Sequence, residues 1–123
     1  MQSEPLKKHH RFQNVYNNGK SVSSAFFILI ALKRANGQGA LSEKKREWPD
    51  LNRVGITVSK KVGNACRRNR AKRRLRHVYR LNETFLSQGF DIVIVARCEI
   101  VSAPFSDLTR SFAASAKKLR LLK

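Results

Sequence analysis

Apolar and polar positions along the 123-residue chain change period several times, and each change predicts an element. Over residues 6–18, Phe12, Val15 and Tyr16 fall at i, i+3 and i+4, and Asn17-Asn18-Gly19 follows as a stop, so a short amphipathic helix is expected. Residues 21–32 are rich in aromatic and β-branched side chains around Phe26, Phe27, Ile28 and Ile30 and read as an extended, buried strand. Residues 35–52 hold two glycines, a proline and the charge cluster Glu43-Lys44-Lys45-Arg46-Glu47, and read as a long loop between two antiparallel strands. From 53 to 59 the chain alternates: Val54, Ile56 and Val58 point one way, and the small residues Gly55, Thr57 and Ser59 point the other. One face is therefore core, and the other is a shallow polar floor. Gly63-Asn64 is a turn with a good helix N-cap. A long helix is predicted over 65–86, stopping before Gly89, and FDIVIVAR (90–97) reads as a strand buried on both faces. A last helix is expected over 105–122, capped by Ser106 and lined by Leu108, Phe112, Ala116 and Leu119.

The element order is α-β-β-β-α-β-α. It implies an α+β sandwich of helices on one mostly antiparallel sheet, a single domain covering 1–123.

Charge changes the picture more than composition does. Hydrophobic residues make up 41% of the chain, enough for a core, but 26 Lys and Arg stand against 8 Asp and Glu, for a net charge of +18. A small domain with that charge repels itself unless a polyanion neutralises it, so a nucleic acid is the expected partner, ahead of an acidic protein or an anionic membrane. No apolar run approaches the roughly 18 residues of a membrane span. The N-terminal residues carry no apolar signal region, and Cys66 and Cys98 are too few and too far apart for a secreted disulfide framework. Free thiols in the cytoplasm are expected.

Ten of the cations sit between Lys60 and Arg80, with no acidic residue among them. Solvated helices normally interleave opposite charges at i, i+4, so this run is more than a wetted surface. At 100° per residue, Ala71, Leu75, Val78, Tyr79, Asn82, Phe85 and Leu86 form a mostly apolar stripe facing the sheet. Beside it runs a second stripe of Ala65, Asn69, Lys72, Arg73, Arg76 and Arg80. The small residue leaves room for a backbone, the amide can bond a sugar or base, and the cations match phosphates. Arg67, Arg70 and Arg74 lie on the opposite flank and offer a second polyanion surface. Arg68 falls near the apolar stripe, and the wheel leaves its role open.

The segment VGITVSKKVGNACRRNRAKRRLRHVYR (54–80) resembles the signature of the bacterial ribonuclease P protein family: Ser59-Lys60-Lys61, then Gly63-Asn64, then Arg68-Asn69-Arg70-Ala71-Lys72-Arg73, with Arg76 beyond. LKKHHRFQNVYNNGKS (6–21) resembles the family's first helix and turn, and DIVIVAR (91–97) its last strand. The resemblance implies a four-stranded sheet with a left-handed β-α-β crossover, like the second domain of a small-subunit ribosomal protein, where the default crossover is right-handed. It implies that a large RNA subunit performs hydrolysis with Mg²⁺, carried on that RNA and not on a protein site. The protein then binds ribonuclease P RNA and holds the 5′ leader of precursor tRNA, with no protein partner required. Carried over by position, Lys60, Lys61, Arg68, Asn69, Arg70, Lys72, Arg73 and Arg76 match the family's basic motif, and with Asn64, Arg67 and Arg80 beside them they are the expected RNA contacts. Phe12, Tyr16 and the strand around Phe27 match the family's leader-cleft aromatics, and Thr57 and Ser59 of the small-residue floor are expected to complete the cleft, with Tyr16 the better candidate for exposure because its hydroxyl prefers a polar edge. The family often has an aromatic further along the strand of Phe27, where this chain has Ile30.

The residues themselves show little chemistry. A two-metal protein nuclease needs converging carboxylates, and only Glu43, Glu47 and Asp50 are close in sequence, in the expected loop. His9, His10 and His77 have no zinc spacing, and no phosphate loop or nucleophile motif is present. The alternative function is a ribosomal or RNA-chaperone-like basic protein, and a more remote one is a secreted antimicrobial protein.

Overall fold

The computed structural model describes residues 4–6, 9–33 and 52–122. The elements are β1 (Glu4–Pro5), α1 (His9–Asn18), β2 (Lys20–Ser23), β3 (Phe27–Lys33), β4 (Arg53–Thr57), α2 (Ala65–Asn82), β5 (Phe90–Ala96) and α3 (Phe105–Lys118). The strands form one sheet in the order β1-β4-β5-β3-β2. Its central strand is β5, whose Ile92, Val93 and Ile94 are fully buried, as expected of a strand apolar on both faces. β5 pairs antiparallel with β3 and parallel with β4. The outer pairings are antiparallel for β2–β3 and parallel for β1–β4, so the sheet is mixed and not mostly antiparallel.

Three boundaries differ from expectation for physical reasons. The chain expected to be extended over 21–32 is a hairpin. No Gly, Pro or Asn marks its turn; Ser24 makes it, its Oγ accepting from Phe27 N at 3.2 Å while its own N–H bonds Phe27 O at 2.8 Å. The first helix begins at His9, and Leu6 instead extends the β1 pairing, donating its N–H to Val54 O at 2.9 Å. The expected loop over 35–52 lies outside the described residues except for Asn52. Asn52 is fully buried, donating from Nδ2 to Ser87 O (2.8 Å) and accepting at Oδ1 from Phe90 N (2.9 Å). Its amide ties the start of β4 to the start of β5. β3 and β4 are not neighbours, because β5 runs between them.

The two faces of the sheet carry different cores. Phe27, Leu29 and Ala31 of β3 and Ile92, Ile94 and Ala96 of β5 point to α2 and α3, joined by Val54, Ile56 and Val58. There they meet Ala71, Leu75, Val78 and Tyr79 of α2 and Leu108, Phe112 and Ala116 of α3. The opposite face is covered by α1, where Leu6, Val15, Ile30 and Val93 form a smaller cluster with Phe12, Ile28, Leu32 and Val95 around it.

The helix ends also have local causes. Asn64 caps α2 by accepting from Arg67 N at 3.0 Å. α2 stops at Asn82, four residues short of expectation, and Glu83–Phe85 continue as a 3₁₀ turn. Phe85 lies in that turn, beyond the end of the helix, and its ring is 62% exposed, while Leu86 is buried. Ser106 is not the cap of α3. Pro104 occupies that position, its carbonyl accepting from Asp107 N and Leu108 N. α3 ends four residues before the expected limit, with Arg120 in the left-handed conformation (φ 59°). Arg120 N bonds Lys117 O and Leu121 N bonds Ala116 O, a Schellman ending made without glycine.

Candidate nucleic-acid interface

α2 places its cations by the geometry that packs it. Because Ala71, Leu75, Val78 and Tyr79 are buried against the sheet, Asn69, Arg73, Arg76 and Arg80 project into solvent, with Ala65 exposed above them and Lys72 half-buried beside the core. Arg73, Arg76, His77, Arg80 and Leu81 line one open groove. His77 sits edge-on to Phe105, ring centroids 4.8 Å apart, which fixes one wall of that groove against the start of α3.

The other flank is divided. Arg67 and Arg70 are exposed. Arg74 is half-buried, and its Nη2 donates to the Ala103 carbonyl ahead of α3. Burial, and secondarily the Arg70 charge, holds the Arg74 guanidinium below its ordinary pKa. Arg74 therefore staples α2 to the approach of α3. Arg68 is half-buried too, with its Nε enclosed and unbonded.

At the N-terminal end of α2, Lys60 and Lys61 are exposed on a 3₁₀ turn, Lys60–Val62, which follows the exposed Ser59. The Cys98 thiol donates to the Lys61 carbonyl at 3.2 Å, tying this turn to a second one, Cys98–Val101. Arg97, between β5 and that second turn, reaches Ser24 O through Nη1 at 3.4 Å. Lys60, Lys61 and Arg97 thus gather where β4 and β5 end and β3 begins. Arg97 is legible only in the structure, because a lone cation after an apolar strand carries no sequence signal of its own.

On the α1 face, strand register lines up Ser23, Ile28, Val95 and Thr57 across four strands. Ile28, Val95 and Thr57 are half-buried and Ser23 is exposed. Tyr16 of α1 stands beside this row, 44% exposed, with its hydroxyl 3.3 Å from Thr57 Oγ1. Tyr16 and Thr57 therefore come together as expected. Phe12 lies over Gly55, where any Cβ would overlap its ring, so this part of the expected floor is already filled. Phe27 is a correction: it is fully buried on the other face, 6.2 Å from the Phe112 ring, and cannot touch a ligand on the α1 face. Strand alternation makes the adjacent Ile28 the residue of the open row. Ile30 is buried in the α1 cluster and packs instead of lining the row.

Among the described residues, no three His, Cys, Asp or Glu side chains come together as metal ligands; Glu43, Glu47 and Asp50 lie outside them. No helix among the described residues is long and apolar enough to cross a membrane.

The site joins an outward stripe of cations on one helix to a half-open row with one aromatic on the far side of the sheet, features that suit a nucleic acid. Comparison with known proteins makes this specific. The family model described as Ribonuclease P matches residues 1–120. The ribonuclease P protein component of Natranaerobius thermophilus is 36% identical over 118 residues, covering 96% of this chain and 91% of that protein. That of Lachnoclostridium phytofermentans is 38% identical over 120 residues, covering 98% and 92%. The solved Staphylococcus aureus RNase P protein superposes with a TM-score of 0.76 at 25% identity, covering 99% of this chain and 100% of the other. The Thermotoga maritima protein superposes with a TM-score of 0.71 at 27% identity, covering 90% and 93%. The chain belongs to the ribonuclease P protein family.

Proposed function

We propose that α2 docks this chain onto the RNA subunit of ribonuclease P, while the row beside Tyr16 holds the 5′ leader of precursor tRNA. As a member of its family, the chain is a ribonuclease P protein component, part of the holoenzyme that works with the RNA subunit in tRNA 5′ maturation. The docking reading rests on the solvent-facing stripe Asn69, Arg73, Arg76 and Arg80, held outward by a helix whose opposite side is fully buried. Each guanidinium can fork onto a phosphate, and Lys60, Lys61, Asn64, Arg67, Arg68, Arg70 and Lys72 extend the basic surface.

The leader assignment draws on the half-buried row Ile28, Val95 and Thr57, on Tyr16 as a ring that stacks any base, and on Lys60 and Lys61 as phosphate partners for a strand leaving the row. Phe12 supports this wall by packing on Gly55. Hydrolysis belongs to the RNA subunit, with Mg²⁺ held there; the residues of this chain bind, orient and neutralise. With +18 charges the protein lowers the repulsion between two RNAs and partly replaces diffuse Mg²⁺. We further assign residues 1–123 to a single domain acting in the cytoplasm without a protein partner. We also infer for β4–α2–β5 the left-handed crossover of the ribosomal-protein-like fold that the family resemblance implies.

The test is cleavage of 5′-labelled precursor tRNA by the protein, by a bacterial ribonuclease P RNA, and by both. The pair should cleave at a Mg²⁺ concentration where the RNA alone is slow, and the protein alone should leave the substrate intact. Cleavage by the protein without RNA contradicts the assignment.

A further inference from the structure

The Tyr16 hydroxyl lies 3.3 Å from Thr57 Oγ1, and either oxygen can be the donor. Tyr16 is half exposed, so the pair is open to solvent. The contact is long for two hydroxyls, whose usual separation is about 2.7–2.8 Å, so a third hydroxyl can exchange into it. The pair is also held in place. α1 meets β4 at two points, Phe12 over Gly55 and Tyr16 beside Thr57. Four residues of helix advance about 6 Å and two of strand about 6.6 Å, so the two contacts match. At the first, a Cβ on Gly55 would come within 2.4 Å of Phe12 Cζ; the ring sits directly on the backbone and sets how close α1 comes to the sheet. The row beside the pair, Ser23, Ile28, Val95 and Thr57, carries no charge, and its only polar side chains are hydroxyls.

We propose that the Tyr16–Thr57 hydroxyl pair recognises the ribose of the leader, taking a 2′-hydroxyl between its two oxygens, so that the row prefers an RNA strand to the same strand without 2′-hydroxyls. The proposal rests on the reading that this row holds the 5′ leader. Chemistry decides the group that is bound. None of the row's side chains is a cation to hold a phosphate, and Lys60 and Lys61 stand beyond β4 for that purpose. A base edge has fixed donors and acceptors that differ between nucleotides, whereas either oxygen of this pair can donate or accept. A 2′-hydroxyl is itself donor and acceptor and is present on every ribonucleotide. Stacking on the Tyr16 ring tolerates any base, so a sugar contact adds selectivity for RNA without adding a sequence requirement.

The experiment uses the holoenzyme assembled from this protein and a bacterial ribonuclease P RNA. It measures affinity for precursor tRNA whose leader is either all ribose or 2′-deoxy throughout except beside the cleavage point. The proteins are wild type, Tyr16→Phe, Thr57→Val and Tyr16→Ala, and thermal unfolding controls for folding. Wild type should bind the deoxy leader about 2- to 12-fold more weakly, the worth of one hydrogen bond. Tyr16→Phe and Thr57→Val keep the ring and the shape of the row but lose one hydroxyl each. Both should bind the two leaders equally, at the wild-type affinity for the deoxy leader. Equal binding of both leaders by wild type overturns the ribose proposal, and so does full sugar discrimination retained in Tyr16→Phe. A preference that follows one leader base instead of its sugar, and that Tyr16→Phe abolishes, overturns it in favour of base-edge recognition. Tyr16→Ala separates this inference from the reading beneath it: unchanged affinity of that variant for the all-ribose leader overturns the leader assignment and the ribose proposal together.

Discussion

The two faces of the sheet are packed to different depths, and the difference separates what holds the molecule together from what is left free to bind. On one face, two helices cover nearly every inward side chain, and the largest buried residues, among them Phe27, Phe112, Leu29, Leu75, Ile92, Ile94 and Leu108, share a single core. On the other, the single ten-residue helix α1 covers a cluster of four buried residues and leaves the row Ser23–Ile28–Val95–Thr57 partly open. The thick face makes α2 a rigid rod, so its outward arginines are presented in fixed register. The thin face leaves space above the strands and one half-exposed tyrosine at its edge.

The contrast can be broken most severely at Leu75. It is fully buried under α2, so Leu75→Ala should cost about 2–5 kcal/mol of unfolding free energy in urea titration. Tyr16→Ala on the thin face should cost less than about 1.5 kcal/mol, since its ring is 44% exposed and only a long hydroxyl contact to Thr57 is lost. Equal losses at the two sites would erase the distinction between the faces.

A smaller effect sharpens the role of the outer side of α2. Arg73→Ala and Arg76→Ala should leave stability within about 0.5 kcal/mol. Each should flatten the dependence of log affinity for ribonuclease P RNA on log salt by about 0.7–0.9. Unchanged slopes in both variants would mean that the stripe is only solvated. Arg74→Ala should behave differently, losing stability with little change of slope, because its guanidinium is bound to the Ala103 carbonyl.

Much of this division was legible in the sequence, and the residues that escaped did so for identifiable reasons. The apolar stripe of α2, the Asn64 cap and the outward basic stripe follow from a 3.6-residue period over a long helix. The strand of β5 follows from a near-continuous apolar run. The family pattern points an aromatic at the cleft, but period-2 alternation turns Phe27 to the α2 face and Ile28 to the open row. Arg74 looked free because a wheel shows one helix and not the Ala103 carbonyl approaching from another part of the chain. Phe85 stands at the edge of the stripe on a wheel carried to Leu86, but α2 ends at Asn82, and the wheel has no meaning beyond it. Asn52 looked like loop because its role depends on Ser87 and Phe90, 35 and 38 residues away.

The division of labour between the faces is tested most directly with the holoenzyme assembled from this protein and a bacterial ribonuclease P RNA. Affinity is measured for a precursor tRNA with a leader several nucleotides long and for the mature tRNA, with wild-type protein and Tyr16→Ala. The substitution should weaken precursor binding by about 1–3 kcal/mol, the worth of one stacked base, and leave mature tRNA binding unchanged. An equal fall in both affinities would show that Tyr16 only packs, and that the α1 face does not hold the leader.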